Sequence, residues 1–305
     1  MSTQLEELFE MFIQNMEIEK DISKTTKSSY KGDFNIFLNF LQLQGIKPDV
    51  SLINKNILKQ YFHFLKFNKG YSVATMRRKI HSLSSFFKYI YDEDLIEKNP
   101  MKSIKAPKKP QELPIYIKSE DVKAILASVD GLSGNFVLRD KVFFLLLFLA
   151  GLRRTELINL RWKYINFQNN TITIFKSKGQ KSRVVPLITP LNIYLKLLFD
   201  SKKCDRHDYV LYSSTYNKMS ATSANLLFKK YLIHNNLLDK GYTLHKCRHT
   251  FATNLAMSMD SLEIAEILGH NDVNTTKVYI HLSQNALKNK ISDSSYAKDI
   301  KNIMK

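Results

Sequence analysis

Apolar positions recur at helical spacing in four stretches of the N-terminal part of the chain. Residues 3–20 place Leu5, Leu8, Phe9, Phe12, Ile13 and Met16 on one stripe, and residues 25–44 do the same with Tyr30, Phe34, Phe37, Leu38 and Leu41 before Gly45. Residues 54–67 contribute Ile57, Tyr61, Phe64 and Leu65, and residues 73–91 contribute Met76, Ile80, Leu83, Phe86, Phe87 and Ile90. This spacing predicts four amphipathic helices whose aromatic-rich stripes close on one core. Their polar sides carry Lys24, Lys27 and Lys31 around the second helix, and Arg77, Arg78, Lys79 and Lys88 on the fourth. A solvated face is the simplest reading of such charges.

The pattern then breaks. Pro100, Pro107, Pro110 and Pro114 fall in a lysine-rich run that cannot hold a helix. We read 1–99 as an N-terminal helical domain, 100–118 as a basic linker, 119–283 as a second domain and 284–305 as a tail. Ser119, followed by Glu120 and Asp121, is a helix start. Arg139 to Ala150 is apolar on every side, which predicts a central buried helix ending at Gly151, with Thr155 capping the next helix over 156–161. The period then becomes two over Thr171–Phe175 and, in part, over Arg183–Leu187, with a Lys-, Gly- and Gln-rich turn between, so a β-hairpin is expected. Further helices are expected after Thr189-Pro190, from Ser220 or Thr222 to about 235, and over 243–257. The fold class is therefore mainly α with a small antiparallel β-sheet in the C-terminal domain. The tail carries Leu287, Ile291, Tyr296, Ile300 and Ile303, a stripe too thin for its own core and suited to docking on a neighbour.

Composition adds a partner. The 305 residues hold 46 Lys and Arg against 28 Asp and Glu, a formal charge of +18, and both domains share the excess. Such a balance points to a polyanion, nucleic acid first of all. Only nine of the basic residues are Arg, and Arg153, Arg154 and Arg161 cluster. Cys204 and Cys247 suggest no disulfide framework and fit a reducing cytoplasm. The N-terminus lacks the basic-then-apolar pattern of a signal peptide. The longest apolar run, Val142 to Leu152, is too short for a membrane span.

The chemistry concentrates between Tyr242 and Leu282. His245 and Arg248 lie three apart, His270 follows Leu268-Gly269, and Tyr279 comes nine residues later. This set has no carboxylate pair for magnesium. It suits a phosphodiester: Arg offers a planar fork to phosphate oxygens, His moves protons near neutral pH, and a Tyr hydroxyl can become a covalent nucleophile. His245 and His249, four apart, could also form a zinc pair, but no Glu follows His245 and no cysteine pair is at hand.

The H-x-x-R, L-G-H and Tyr series, with Gly151-Leu152-Arg153 and Glu156 upstream and Lys178 before Gly179 in the hairpin turn, resembles the tyrosine recombinases of the lambda-integrase family. The likeness covers nearly the whole chain and is nearest to the compact Xer-type members. It implies a SAM-like four-helix core-binding domain joined to a tyrosine-recombinase catalytic domain, the two clamping DNA. It also implies Tyr279 as nucleophile, and Arg153, Lys178, His245, Arg248 and His270 as the other catalytic residues, with Glu156 in support. Lys176 and Lys181 are neighbouring alternatives to Lys178, which the resemblance selects. Lys27, Lys31, Arg77, Arg78 and Lys181 are the candidate DNA contacts. The expected partner is double-stranded DNA bearing a recombination site, bound by a homotetramer that exchanges C-terminal tails, or together with a second recombinase. No metal or cofactor is expected, and no membrane partner. The first predicted helix begins at residue 3, so no additional DNA-binding arm is expected ahead of it. Two alternatives remain: a type IB topoisomerase-like enzyme, and a non-catalytic DNA-binding protein on the same fold.

Overall fold

In a computed structural model of the protein, which describes residues 3–108, 116–131, 134–175, 182–202, 205 and 207–269, the chain divides into two compact units, Met1–Glu112 and Leu113–Lys305. The first holds α1 (Gln4–Lys20), α2 (Lys24–Leu43), α3 (Lys55–His63) and α4 (Val73–Asp92). Each helix starts after a side-chain oxygen that accepts a first-turn amide: Thr3, Ser23, Asn54 and Ser72 in turn. Thr3 and Glu6 form a reciprocal capping box. The core is aromatic. Phe9 lies flat on Phe34, with ring centres 3.8 Å apart, and Phe86 meets both edge-on at 5.5 Å. Each buried ring contributes about 2 kcal/mol by removal from water.

Two expectations are corrected here. The third helix does not run regularly through 54–67. After His63 it widens into a π-type turn over Phe64–Asn68, which keeps Leu65 in the core and sends Phe67 outward. Gly70, at φ +64°, then turns the chain. Lys79 is not on a solvated face: it is buried, and its ammonium meets Asp33 Oδ1 at 2.8 Å and lies 5.0 Å from the Tyr71 ring centre. Asp33 is equally buried, and its other oxygen accepts from Arg78. The acid thus ties α2 to α4 from inside.

The second unit holds α5 (Ser119–Gly131), α6 (Val137–Leu149), α7 (Arg154–Asn159), α8 (Leu191–Lys202), α9 (Ala221–His234), α10 (Leu244–Leu255) and α11 (Ser261–Leu268). Its core gathers on α6, which is buried continuously from Val142 to Phe148 and packs against α5, α8 and α10. The helix is not apolar throughout. Its first turns carry buried Arg139, Asp140 and Lys141. Asp140 accepts from Arg139 Nε at 2.8 Å and from the Tyr231 hydroxyl at 3.0 Å, while Arg139 also donates to the Tyr212 carbonyl at 3.0 Å. A carboxylate there is favoured by the helix dipole.

The three strands β1 (Ile165–Asn166), β2 (Thr171–Ile174) and β3 (Arg183–Pro186) form an antiparallel sheet in chain order. No residue pattern announces the two-residue β1. Ile172 pairs with Val185 and Ile174 with Arg183, and all four face inward. An arginine therefore occupies a core-facing position of the sheet. Among the described residues no helix is long and apolar enough to cross a membrane.

The Asp33–Lys79 pair yields a test. Asp33→Ala leaves a buried ammonium unpaired and is expected to lower stability by about 3 kcal/mol, whereas Asp33→Leu with Lys79→Met stays within about 1 kcal/mol of wild type. Urea unfolding of the full chain distinguishes the two outcomes.

Candidate active site

The site begins where α6 stops. Gly151 takes φ +57°, and a Cβ there would stand 2.2 Å from Cδ1 of Phe251 on α10. Only glycine permits both the turn and this approach. Two residues on, Arg153 occupies the N-cap of α7, so Thr155 is not the cap that the sequence suggested. The cap is completed by Glu156, whose Oε2 accepts the Arg153 amide at 2.7 Å and whose Oε1 accepts its Nη1 at 2.9 Å.

A second arginine holds the same carboxylate. Arg183 of β3 makes a two-pronged pair with Glu156, with both N···O distances 2.8 Å. Arg248 of α10 stands 3.9 Å from Glu156 Oε2. Burial alone would push the Glu156 carboxyl up. The hydrogen bonds and charge of Arg183, and then those of Arg153, outweigh it and hold the group at about 2.

The three arginines converge once more. Arg183 Nε donates to the Ile267 carbonyl at 2.8 Å, Arg248 Nη2 to Leu268 at 2.6 Å, and Arg153 Nη2 to Gly269 at 3.3 Å. These consecutive carbonyls end α11, where the helix leaves acceptors unfilled and its dipole attracts cations. Arg248 also donates to the Gly151 carbonyl at 2.8 Å. The side chains of Arg183 and Arg248 are 5% and 3% exposed, against 37% for Arg153, so Arg153 is the most open guanidinium of the three.

His245 shares a cleft with Leu152, Arg153, Tyr242 and Arg248. Burial, followed by the charges of Arg248 and Arg153, pushes its pKa below the usual histidine value. His249 is held at about 4, by burial first and then by the neighbouring His245 and Arg248. The two imidazoles meet edge to face at 4.5 Å, and among the described residues no group of three or more His, Cys, Asp or Glu side chains is placed to hold a metal ion.

Of the residues singled out in the sequence, Arg153, Glu156, His245 and Arg248 come together. Lys178, Lys181, His270 and Tyr279 lie outside the described residues. In the first unit, Lys27 pairs with Glu17 at 2.9 Å, Lys31 with Glu10 at 2.6 Å and Arg78 with Asp33, while Arg77 donates to the Pro107 carbonyl. The sequence reading passed over Arg183. Its signal was present: a scarce arginine at an inward position of an alternating strand.

The family model of the phage integrase family matches residues 116–286, more than half of the chain, and that of the phage integrase N-terminal SAM-like domain matches residues 8–97. The chain belongs to the phage integrase family. The recombinase is 29% identical to tyrosine recombinase XerD of Listeria innocua, over 93% of this chain and 97% of that one. It is 30% identical to XerD of Lacticaseibacillus casei, over 90% and 94%. A solved Tn1549 transposon integrase in complex with transposon right end DNA shares its fold, with a TM-score of 0.74 and 19% identity, over 93% of this chain and 99% of that one. The SAM-like and integrase matches agree with a mainly helical, two-part recombinase fold carrying a small antiparallel sheet. The enzyme is a tyrosine-type site-specific recombinase.

Gly151 bears on the whole site. Gly151→Ala is expected to lower stability by about 3 kcal/mol, because strain in the left-handed region adds to the clash with Phe251. Adding Phe251→Leu should recover only part of it, since the strain remains. Thermal unfolding of the single and double variants measures both.

Proposed function

We propose that the recombinase binds double-stranded DNA at a specific site and exchanges strands through a 3′-phosphotyrosyl intermediate. The Tyr279 hydroxyl attacks the scissile phosphorus, and the bond to the 5′-oxygen breaks as Lys178 supplies its proton. Arg153, Arg248 and His270 hold the non-bridging oxygens, whose charge grows in the transition state. His245, with a pKa below the usual histidine value, is uncharged near neutral pH and able to take up a proton. The 5′-hydroxyl of a partner strand then attacks the phosphotyrosyl phosphorus, Tyr279 leaves, and repetition on the second strand pair resolves a Holliday junction. The phosphodiester bond energy is kept in the protein link, so no nucleotide cofactor takes part.

The observation that carries this reading is the arginine cluster. Three guanidiniums meet one carboxylate, which leaves two net positive charges on a rigid frame, with Arg153 open beside His245. That is what a phosphorane needs when side chains take the place of metal ions. We further propose a homotetramer on DNA, or a pairing with a second recombinase, and a domain 1–99 that covers the opposite face of the duplex. The XerD relatives and a solved XerH bound to its difH substrate (TM-score 0.72) favour dimer resolution; the transposon integrase favours integration and excision of a mobile element.

Covalent trapping tests the reading. The protein is incubated with nicked suicide fragments of its own genome, and adducts resistant to SDS are collected. An adduct is expected with wild type, in EDTA as well, and none with Tyr279→Phe. An adduct surviving Tyr279→Phe would move the nucleophile elsewhere; specific binding without any adduct would favour the non-catalytic alternative. Sequencing the trapped DNA separates a single chromosomal site from the ends of a mobile element.

A further inference from the structure

Arg183 has no part in the mechanism just described, yet every nitrogen of its guanidinium is engaged within the site. It lies on the buried face of the sheet, paired across the strands with Ile174. Its guanidinium spends two donors on the two oxygens of Glu156 and a third on the Ile267 carbonyl. Its side chain is 5% exposed. A buried charge of this kind is costly unless fully paired, and here the pairing is complete: Glu156 accepts four hydrogen bonds, two from Arg183 and two from Arg153. Four is about the capacity of a carboxylate.

We propose that Arg183 is a positioning residue of the recombinase: by gripping both oxygens of Glu156 it neutralises that carboxylate, so that Arg153 keeps its positive charge and an open edge for phosphate. The proposal rests on the strand-exchange reading above. Without Arg183 the same carboxylate would face Arg153 alone at short range, with Arg248 at 3.9 Å. It would take Arg153 as its full partner, in the two-pronged geometry that arginine and carboxylate favour. The cluster's net charge would fall by one unit where negative charge develops. The same side chain ties the turn end of the β2–β3 pair to the end of α11, so one residue serves the site from two sides.

The groups facing Glu156 are Arg153 at the start of α7, Arg183 on β3 and Arg248 on α10, and His245 lies in the adjoining cleft. Arg183→Gln lets the carboxyl pKa rise from about 2. On acidification the variant can therefore protonate Glu156 and regain the missing positive charge, whereas wild type cannot over the same range.

The test uses the full chain, a suicide substrate carrying the trapped site, and single-turnover cleavage. Arg183→Gln is expected to cleave about ten- to a hundredfold more slowly than wild type with DNA affinity unchanged. The deficit should narrow as pH falls, and adding Glu156→Gln should restore part of the rate by returning the cluster to its former charge. A scaffold role alone predicts the opposite: a double variant slower than either single one, and a deficit indifferent to pH. If Arg183→Gln does not fold, Arg183→Lys carries the test. Lysine keeps the charge but lacks the planar fork that meets both oxygens squarely, so folded Arg183→Lys should still cleave more slowly than wild type. Wild-type rates in a folded Arg183 variant, or no gain from Glu156→Gln, overturn the proposal. A wild-type protein that forms no adduct overturns the strand-exchange reading, and this role with it.

Discussion

A single ionised carboxylate organises the second unit. Glu156 is almost buried, and it stays charged because donors from a helix cap and from a strand fill its oxygens. Remove it, and Arg153, Arg183 and Arg248 become three like charges crowded around one spot, each still buried or partly so. Leave it unpaired, and its own desolvation becomes the larger cost. The cluster holds only as a set. That mutual dependence fixes three elements distant in the sequence, α7, β3 and α10, at ångström tolerances.

The carbonyls of Ile267, Leu268 and Gly269 extend the same logic to α11. A helix C-terminus is a weak acceptor of positive charge. It satisfies guanidinium donors without neutralising them, so the arginines are aimed while their charge remains available. Gly151 contributes through backbone geometry. Its left-handed turn brings α6 to its end against Phe251 and delivers a carbonyl to Arg248. The buried body of α6 then serves as the base on which the turn rests.

Much of this was legible in the chain itself. The stripes of Phe9, Phe34 and Phe86 announced the aromatic core, because helical periodicity records burial directly. The G-L-R and H-x-x-R spacings brought Arg153, Glu156, His245 and Arg248 to notice before any geometry was known. The misses share a cause. Lys79 reads as one more charge in a basic helix, and only tertiary packing places Asp33 against it. Arg139 and Asp140 begin a run that looks wholly apolar, and their partners Tyr212 and Tyr231 lie far along the chain. Arg183 falls in an alternating strand where an inward charge breaks the pattern unless a remote acid answers it. Long-range pairing of buried charge has no local sequence period, so periodicity cannot reveal it. Thr155 misled for another reason: a good capping residue stood two positions past the true cap, where Glu156 closes the turn backwards onto Arg153.

The surface lysines of the first unit carry one further consequence. Lys27 and Lys31 are not bare cations waiting in solvent; each already holds a glutamate of α1. A nucleic-acid phosphate arriving at either one displaces a carboxylate, and the freed Glu17 or Glu10 then repels the strand it has made room for. The exchange liberates fewer condensed counterions than contact with an unpaired lysine would. At these two positions the formal charge of +18 therefore overstates the cationic charge open to a polyanion.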